Sequence, residues 1–457
     1  PEVLPYGEYS LVEVQAPYGY ALDSTPVNFS VSAENTEKEN TLTIVKVVKQ
    51  NTAQKGKISV QKTGDIFTSV AMASSAYTNE NGEMIVNPTT YTPVFADGDL
   101  SGAVFQVIAV EDIVTLDGTV HANAGNVVAE ITTDENGYAE TDLLYLGKYE
   151  IKEVQAPYGY VRNSESQFVE LTYAGQEIAV RDTVNASFVN DYQSVEISLS
   201  KVMENDELFG IGNNNEYLSV RFGLFAAEDI QAADGSVIPA DGLLSEVSFD
   251  ENMTAKFDVQ IPFGRYYVQE IATDEHYVLN GEKYLVNFEY MGQDIQNVDI
   301  DCGQFVNLLK RGRIEGHKTD DKSEPLENAV FGLFTADCVK FSRDTAVMTA
   351  ASDENGCFEF TDVPFGQYIV REIESPSGYI LSDKEYAVSI SEDGEVIEIT
   401  AENKPITVEI SKRDVYGNEL VGAEMVLENA DGETVDMVLS ISLDTFYSNK
   451  NYATRKI

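Results

Sequence analysis

One phrase recurs four times along this chain and constrains its fold more than any other feature of the sequence. It reads G-x-Y-x-[LIV]-x-E and begins at Gly7, Gly147, Gly264 and Gly366, so a glutamate always stands six residues after the glycine. The octapeptide EVQAPYGY follows identically from Glu13 and from Glu153, with looser copies EIATDEHY from Glu270 and EIESPSGY from Glu372. Further phrases keep step with it. A small residue followed by an apolar one leads to Phe105, Phe222, Phe331 and Met425, and DENG or a variant starts at Asp134, Asp250 and Asp353 with the chemistry of a turn between strands. An apolar strand ending in Asn then runs into a new strand ending in Lys. Asn51 and Lys62, Asn190 and Lys201, and Asn307 and Lys318 are eleven residues apart, and Asn403 and Lys412 are nine apart.

These phrases divide the chain into residues 1–54, a partial repeat lacking its first strand; 55–192, a repeat with an insertion; 193–309 and 310–403, two further repeats; and 404–457, a partial repeat with an atypical tail from Met437. Period-two alternation, many Tyr and Val residues and frequent turn residues predict tandem all-β sandwiches. No long helical period appears. Insertions at 66–99 and 203–217 are expected as extra loops or strands, where a binding surface can be grafted. The incomplete ends, and a start at Pro1 without a basic and then apolar leader, read as a fragment of a longer protein.

The 77 acidic residues outnumber the 30 basic ones, and the net charge of −47 argues against a general affinity for nucleic acid or anionic membranes. No apolar run is long enough to span a bilayer. Cys302, Cys338 and Cys357 are too few and too irregular for a disulfide framework, and free thiols are expected. His121, His276 and His317 lack metal-ligand spacing, and no metal or cofactor is expected. Glu111 with Asp112, or Glu228 with Asp229, is the best case for an enzyme, but neighbours on a strand face opposite ways and make no acid/base pair. The Asp117 and Asp234 turns lack a calcium-loop register and read as solvated turns.

In a strand, residues i, i+2 and i+4 share a face. Ile58, Val60 and Lys62 therefore point together, as do Ile197, Leu199 and Lys201, then Ile314, Gly316 and Lys318, and Val408, Ile410 and Lys412. The same arithmetic aligns Glu13, Glu153, Glu270 and Glu372 with the Tyr and the apolar residue before each, and Asn190, Asn307 and Asn403 with an inward Phe or Ala. A lone strand-end lysine is usually solvated, a lone glutamate is usually surface charge and a lone asparagine usually forms a turn. Three types recurring in one order on apolar faces point elsewhere.

Burial lowers the pKa of an amine and raises that of a carboxyl group, favouring a neutral lysine beside a protonated glutamate. Held against the asparagine carbonyl, the amine is a nucleophile, and the carboxyl group donates to the developing oxyanion and shuttles protons. Loss of ammonia leaves a Lys–Asn isopeptide bond.

The phrases GKYEIKEVQAPYGY, FGLFAAEDI, ISVQKTGD and SFVND resemble those of the B-type repeats of collagen adhesins and SpaA-like pilins on Gram-positive bacteria. The resemblance runs to about residue 432. It implies a prealbumin-like, reverse-immunoglobulin sandwich with an internal bond promoted by a carboxylate. Carried over, it implies Lys62, Glu153 and Asn190, then Lys201, Glu270 and Asn307, then Lys318, Glu372 and Asn403. Glu13 belongs to an incomplete unit, and Asn51 and Lys412 are orphan partners. No covalent ladder joining Lys412 of one molecule to Asn51 of another is expected, because the two strands come from different repeats. The function expected is a cell-wall stalk or pilin-like region, extracellular, attached to peptidoglycan through a parent sorting signal absent from this sequence. The alternative is an adhesin whose inserted loops bind a host protein or glycan. Neither reading is an enzyme beyond the self-catalysed bond.

Overall fold

The computed structural model describes residues 4–34, 37–39, 42–78, 84–408, 412–418, 420, 422–440 and 446–448. Among these there is no α-helix, only strands and one short 3-10 turn at Glu216–Ser219. The fold is prealbumin-like, in tandem β-sandwiches.

The same pair of sheets is built three times. Between residues 55 and 192, Ile58–Ala73 lies between Tyr138–Glu140 and Val184–Asn190, and the facing sheet runs Val127–Thr132, Val104–Ala109, Gly147–Gln155, Gln167–Leu171. The next copy sets Ser194–Met203 between Thr254–Phe257 and Asn297–Asn307, opposite Leu243–Ser248, Arg221–Ala226, Gly264–Ala272 and Lys283–Phe288. The last sets Arg311–Asp320 between Cys357–Pro364 and Val396–Asn403, opposite Met348–Ala351, Val330–Thr335, Gly366–Glu374 and Glu385–Ile390. Alternate residues of both sheets fill each core. Ile58, Val60, Phe105, Val107, Tyr149, Ile151 and Phe188 do so in the first of the three.

The one small residue in the inward lysine rows, Gly316, has a packing reason. A Cβ there would stand 2.0 Å from the ring of Phe358, which itself stacks on Phe331 at 3.9 Å. The glycine makes room for an aromatic pair, so the row stays apolar without a side chain of its own.

The G-x-Y phrase also has a structural cause. The tyrosine hydroxyl donates to the carbonyl four residues upstream in all four copies: Tyr9 to Pro5 (2.8 Å), Tyr149 to Tyr145 (2.6 Å), Tyr266 to Pro262 (2.6 Å) and Tyr368 to Pro364 (2.9 Å). A buried tyrosine needs a partner for its hydroxyl, and this contact pins the start of each glutamate strand.

Two expectations need correction. Glu111 and Asp112 lie in the loop before Ile113–Val114, not on a strand, and Asp112 accepts the amide of Ala124 at 2.8 Å. Glu228 and Asp229 are likewise in a loop and are committed to Arg265 and to the Ala240 amide. The strand placed at 408–412 is not formed at Val408 or Lys412, which are irregular and exposed, while Ile410 lies outside the described residues. In the complete units that strand is held on both sides by hydrogen-bonded neighbours, and among the described residues nothing pairs with 406–408 or 412 in this way.

Candidate functional site

Three buried Lys, Glu and Asn clusters sit across the three cores. Their nine side chains are between 0 and 3 % exposed. Lysine and asparagine come from adjacent parallel strands in one register: Lys62 stands opposite Phe188, Lys201 opposite Phe305, and Lys318 opposite Ala401. The asparagine is two residues further on, hence on the same inward face. Glutamate reaches in from the facing sheet.

Contacts close each triangle. Lys62 Nζ donates to Asn190 Oδ1 and lies 3.4 Å from Glu153 Oε1, which accepts from Asn190 Nδ2 at 3.0 Å. Lys201 Nζ donates to Asn307 Oδ1 at 2.5 Å and to Glu270 Oε1 at 2.9 Å, and Asn307 Nδ2 donates back to Glu270 Oε1 at 2.9 Å. Lys318 Nζ donates to Asn403 Oδ1 at 2.6 Å and lies 3.8 Å from Glu372 Oε1, which accepts from Asn403 Nδ2 at 2.9 Å.

The second glutamate oxygen is satisfied in a way the sequence reading missed. It accepts a backbone amide ten residues downstream every time: Asn163 (2.6 Å) for Glu153, Asn280 (2.6 Å) for Glu270, Ser382 (2.8 Å) for Glu372, and Asp23 (3.0 Å) for Glu13. The octapeptide turn makes this contact possible by bringing the chain back over the carboxylate. Gly19, Gly159 and Gly378 take positive φ in that turn. The copy with His276 in place of glycine uses Asp274 Oδ1 instead, which accepts the His276 amide at 3.1 Å. The fixed offset from glutamate was the available signal. Asn307 has one extra partner, Thr273 Oγ1 at 2.7 Å, which the other clusters do not share.

Burial pulls the pKa of Lys62 and of Lys318 down to about 8, and lowers that of Lys201. It pushes Glu153 and Glu372 above the usual carboxylate range. Burial thus works against the ion pair from both sides in the Lys62–Glu153 and Lys318–Glu372 clusters, and against the charged amine at Lys201.

The outlying residues divide. Glu13 and Asn51 meet, with Asn51 Nδ2 at 2.8 and 2.7 Å from the two carboxylate oxygens, though both side chains are only half-buried. Lys412 is exposed and lies outside any strand. Asp117 Oδ1 accepts from Thr115 and Thr119, and Asp234 Oδ1 from Ser236, so both turn carboxylates are engaged locally. Among the described residues no cluster of three His, Cys, Asp or Glu side chains is arranged to hold a metal ion, and all three cysteines are unpaired.

Comparison with known proteins matches the SpaA prealbumin-like fold domain to residues 2–46, 95–184 and 312–405, half of the chain. The chain belongs to this SpaA prealbumin-like family. A collagen adhesin of Staphylococcus aureus is 24% identical over 243 residues, 49% of this chain and 18% of that protein. The Bacillus anthracis TIE protein superposes with a TM-score of 0.51 at 20% identity, over 83% of this chain and 55% of that one. BcpA, the major pilin subunit of Bacillus cereus, matches at 17% identity and a TM-score of 0.33, over 77% of this chain and all of that one. The chain thus spans less than a fifth of the adhesin and about half of the TIE protein. The SpaA-like chain is of the pilin and adhesin kind found in Gram-positive bacteria, and among its described residues no helix is long and apolar enough to cross a membrane.

Proposed function

We propose that this SpaA-like chain is a stalk region of an extracellular, wall-attached surface protein, each complete unit locked by a self-made Lys–Asn isopeptide bond. The observation that carries the reading is the buried Lys, Glu and Asn triangle, repeated three times in one register between the first and last strands. In each unit the neutral lysine Nζ adds to the asparagine Cγ. The Nζ–Cγ bond forms and the Cγ–Nδ2 bond breaks. Glutamate relays a proton from the attacking amine to Nδ2, which leaves as ammonia. No cofactor enters this balance, and the reaction turns over once.

The position of the bond suits a stalk. Tension enters a unit through its first strand and leaves through its last, and these two strands are direct neighbours. A bond between them carries the force past everything in between.

Digestion of the denatured protein should yield branched peptides joining Lys62 to Asn190, Lys201 to Asn307 and Lys318 to Asn403. Recovery of the same peptides only in linear form would refute the reading.

A second reading, an adhesin for a host extracellular protein or glycan, is favoured by one feature. Met72, Met84 and Val86 are 66 to 74 % exposed at the far end of the inserted hairpin, and the matched Staphylococcus aureus relative is named a collagen adhesin. Wall attachment through a sorting signal in the parent protein is common to both readings.

A further inference from the structure

The two insertions do not stand free: each reaches out of its own unit and packs on the next. Ile58–Ala73 continues past the lysine and pairs with Thr90–Asp99 as a long hairpin. Thr90 of that hairpin meets Leu243, at the edge of the next unit's sheet. Phe67 and Thr68 carbonyls accept amides from Ala233 (3.2 Å) and Asp234 (3.1 Å), and the Val70 amide donates to Ser236 Oγ at 2.9 Å. Phe67, Val70 and Tyr91 pack against the core of the following sandwich. The hairpin covers a sheet edge that would otherwise be open.

The second insertion repeats the arrangement one joint later. Glu204 Oε1 and Asp206 Oδ2 accept from Arg311 at 2.9 and 3.1 Å, and Glu204 Oε2 accepts the Leu309 amide at 2.8 Å. The Phe209 ring sits edge-on to Tyr368, and Phe209 packs on the core of the last complete unit.

A glutamine latch, which the sequence shows once the structure is known, holds two of the joints: the one before residue 55, and the one after residue 192 that the hairpin braces. The joint braced by the second insertion has Lys310 at the equivalent position. Gln54 and Gln193 are fully buried and stand three residues after Asn51 and Asn190. Gln54 Nε2 donates to the carbonyls of Gly175 (3.0 Å) and Ile178 (2.5 Å), and its Oε1 accepts the Ala174 amide at 2.7 Å. Gln193 makes the same three bonds to Gly292, Ile295 and Met291. From the gripped loops, Gln176 and Gln293 reach back to the amides of Ala16 and Ala156, both at 2.8 Å.

The first joint has the latch but, among the described residues, no brace, and it is less filled. Where Phe263 packs against Gly159, Tyr192 and Tyr158 at the second joint, the first has Leu146 and a cleft of about 300 Å³ lined by Tyr18, Gly19, Gln54, Tyr145 and Tyr173.

We infer that the two insertions are intramolecular braces, which make residues 55–403 one stiff shaft and, on its N-terminal side, leave bending to the joint at residues 52–54. This deepens the stalk reading but does not depend on the isopeptide bonds. Tandem domains joined only by short linkers move relative to one another by default, and these braces remove that freedom.

Single-molecule energy transfer on the full chain tests it, with Cys338 and Cys357 replaced by Ser and dyes paired at exposed Glu8 and Glu130, Glu130 and Glu282, or Glu282 and Glu354. The last two pairs should give narrow distance distributions and the first a broader one. The triple variant Phe67→Ser, Val70→Ser, Tyr91→Ser should broaden the second pair roughly twofold and leave the third unchanged, with Tyr91→Ala intermediate. Phe209→Ser with Arg311→Ser should broaden the third pair alone. An unchanged second pair in the triple variant and in Tyr91→Ala, or a first pair as narrow as the others, overturns the inference. The ammonia lost from the mass is counted in the same samples. If none is lost while the widths follow this pattern, the bond reading fails and the shaft stands.

Discussion

Pulled from its two ends, the wild-type protein should stretch without any of its three complete units unravelling, whereas Glu153→Ala, Glu270→Ala or Glu372→Ala should each release one unit. Lysine and asparagine are separated by 128, 106 and 85 residues in the three clusters. At about 3.4 Å per extended residue, the released contour lengths are roughly 430, 360 and 290 Å. In the wild type the first and last strands are joined by a covalent bond, so those residues never enter the path of the force. Removing the glutamate takes away the proton relay while the sandwich still folds, because the apolar cluster that makes up most of each core is untouched. Atomic force spectroscopy of the three variants should show one new step each, of the matching length. A wild-type chain showing all three steps would contradict the assignment.

The second large effect is on equilibrium stability, and two variants of one unit separate its causes. Asn403→Ala loses the bond but keeps Lys318 beside Glu372, and a cross-link closing a loop of this size is worth about 4 to 5 kcal/mol. Glu372→Ala loses the bond and also leaves Lys318 buried without its acid, which adds a further cost on the order of 3 kcal/mol near neutral pH. That second cost depends on pH. Lys318 is held down to about 8 by burial, and losing the carboxylate removes a contact that raises it. The unfolded chain, with an ordinary lysine, therefore binds more protons than the folded one between the two values. Stability of Glu372→Ala should rise as pH goes from about 8 to about 10, by up to roughly 3 kcal/mol. Denaturant titration of this variant at both ends of the range checks it. A flat response would mean that Lys318 is no longer a free amine and that the bond forms without Glu372.

Much of this site could be read in the sequence because a strand has period two. Once Ile58 and Val60 face inward, Lys62 must as well, and the same holds for Glu153 after Tyr149 and Ile151. Three residue types on apolar faces, repeated in fixed order, then had to meet or leave charges unpaired in each core. What escaped the sequence was long-range. Alternation along 66–73 and 90–99 marks a half-buried hairpin without saying which unit buries it, and the hairpin lies on its neighbour. The glutamine latch was hidden because a single glutamine in a linker reads as polar surface, although the recurring Tyr-x-Gly-Gln at Tyr173 and Tyr290 carried the signal. The acidic pairs at Glu111 and Glu228 were placed on strands because the preceding apolar runs alternate. Each strand in fact ends two residues before its pair, which lies in the following loop. The strand assigned to Lys412 had the right local pattern, but among the described residues Val408 and Lys412 are not held between two ladder neighbours as the matching strands of the complete units are, and in a sheet the neighbours decide.

The central claim, that each triangle reacts, is tested most directly by the intact mass of the denatured full chain. The account predicts a mass lower than that of the sequence by three molecules of ammonia, with one ammonia regained in each of Glu153→Ala, Glu270→Ala and Glu372→Ala after allowing for the substitution. A wild-type mass equal to that of the unmodified sequence would contradict it.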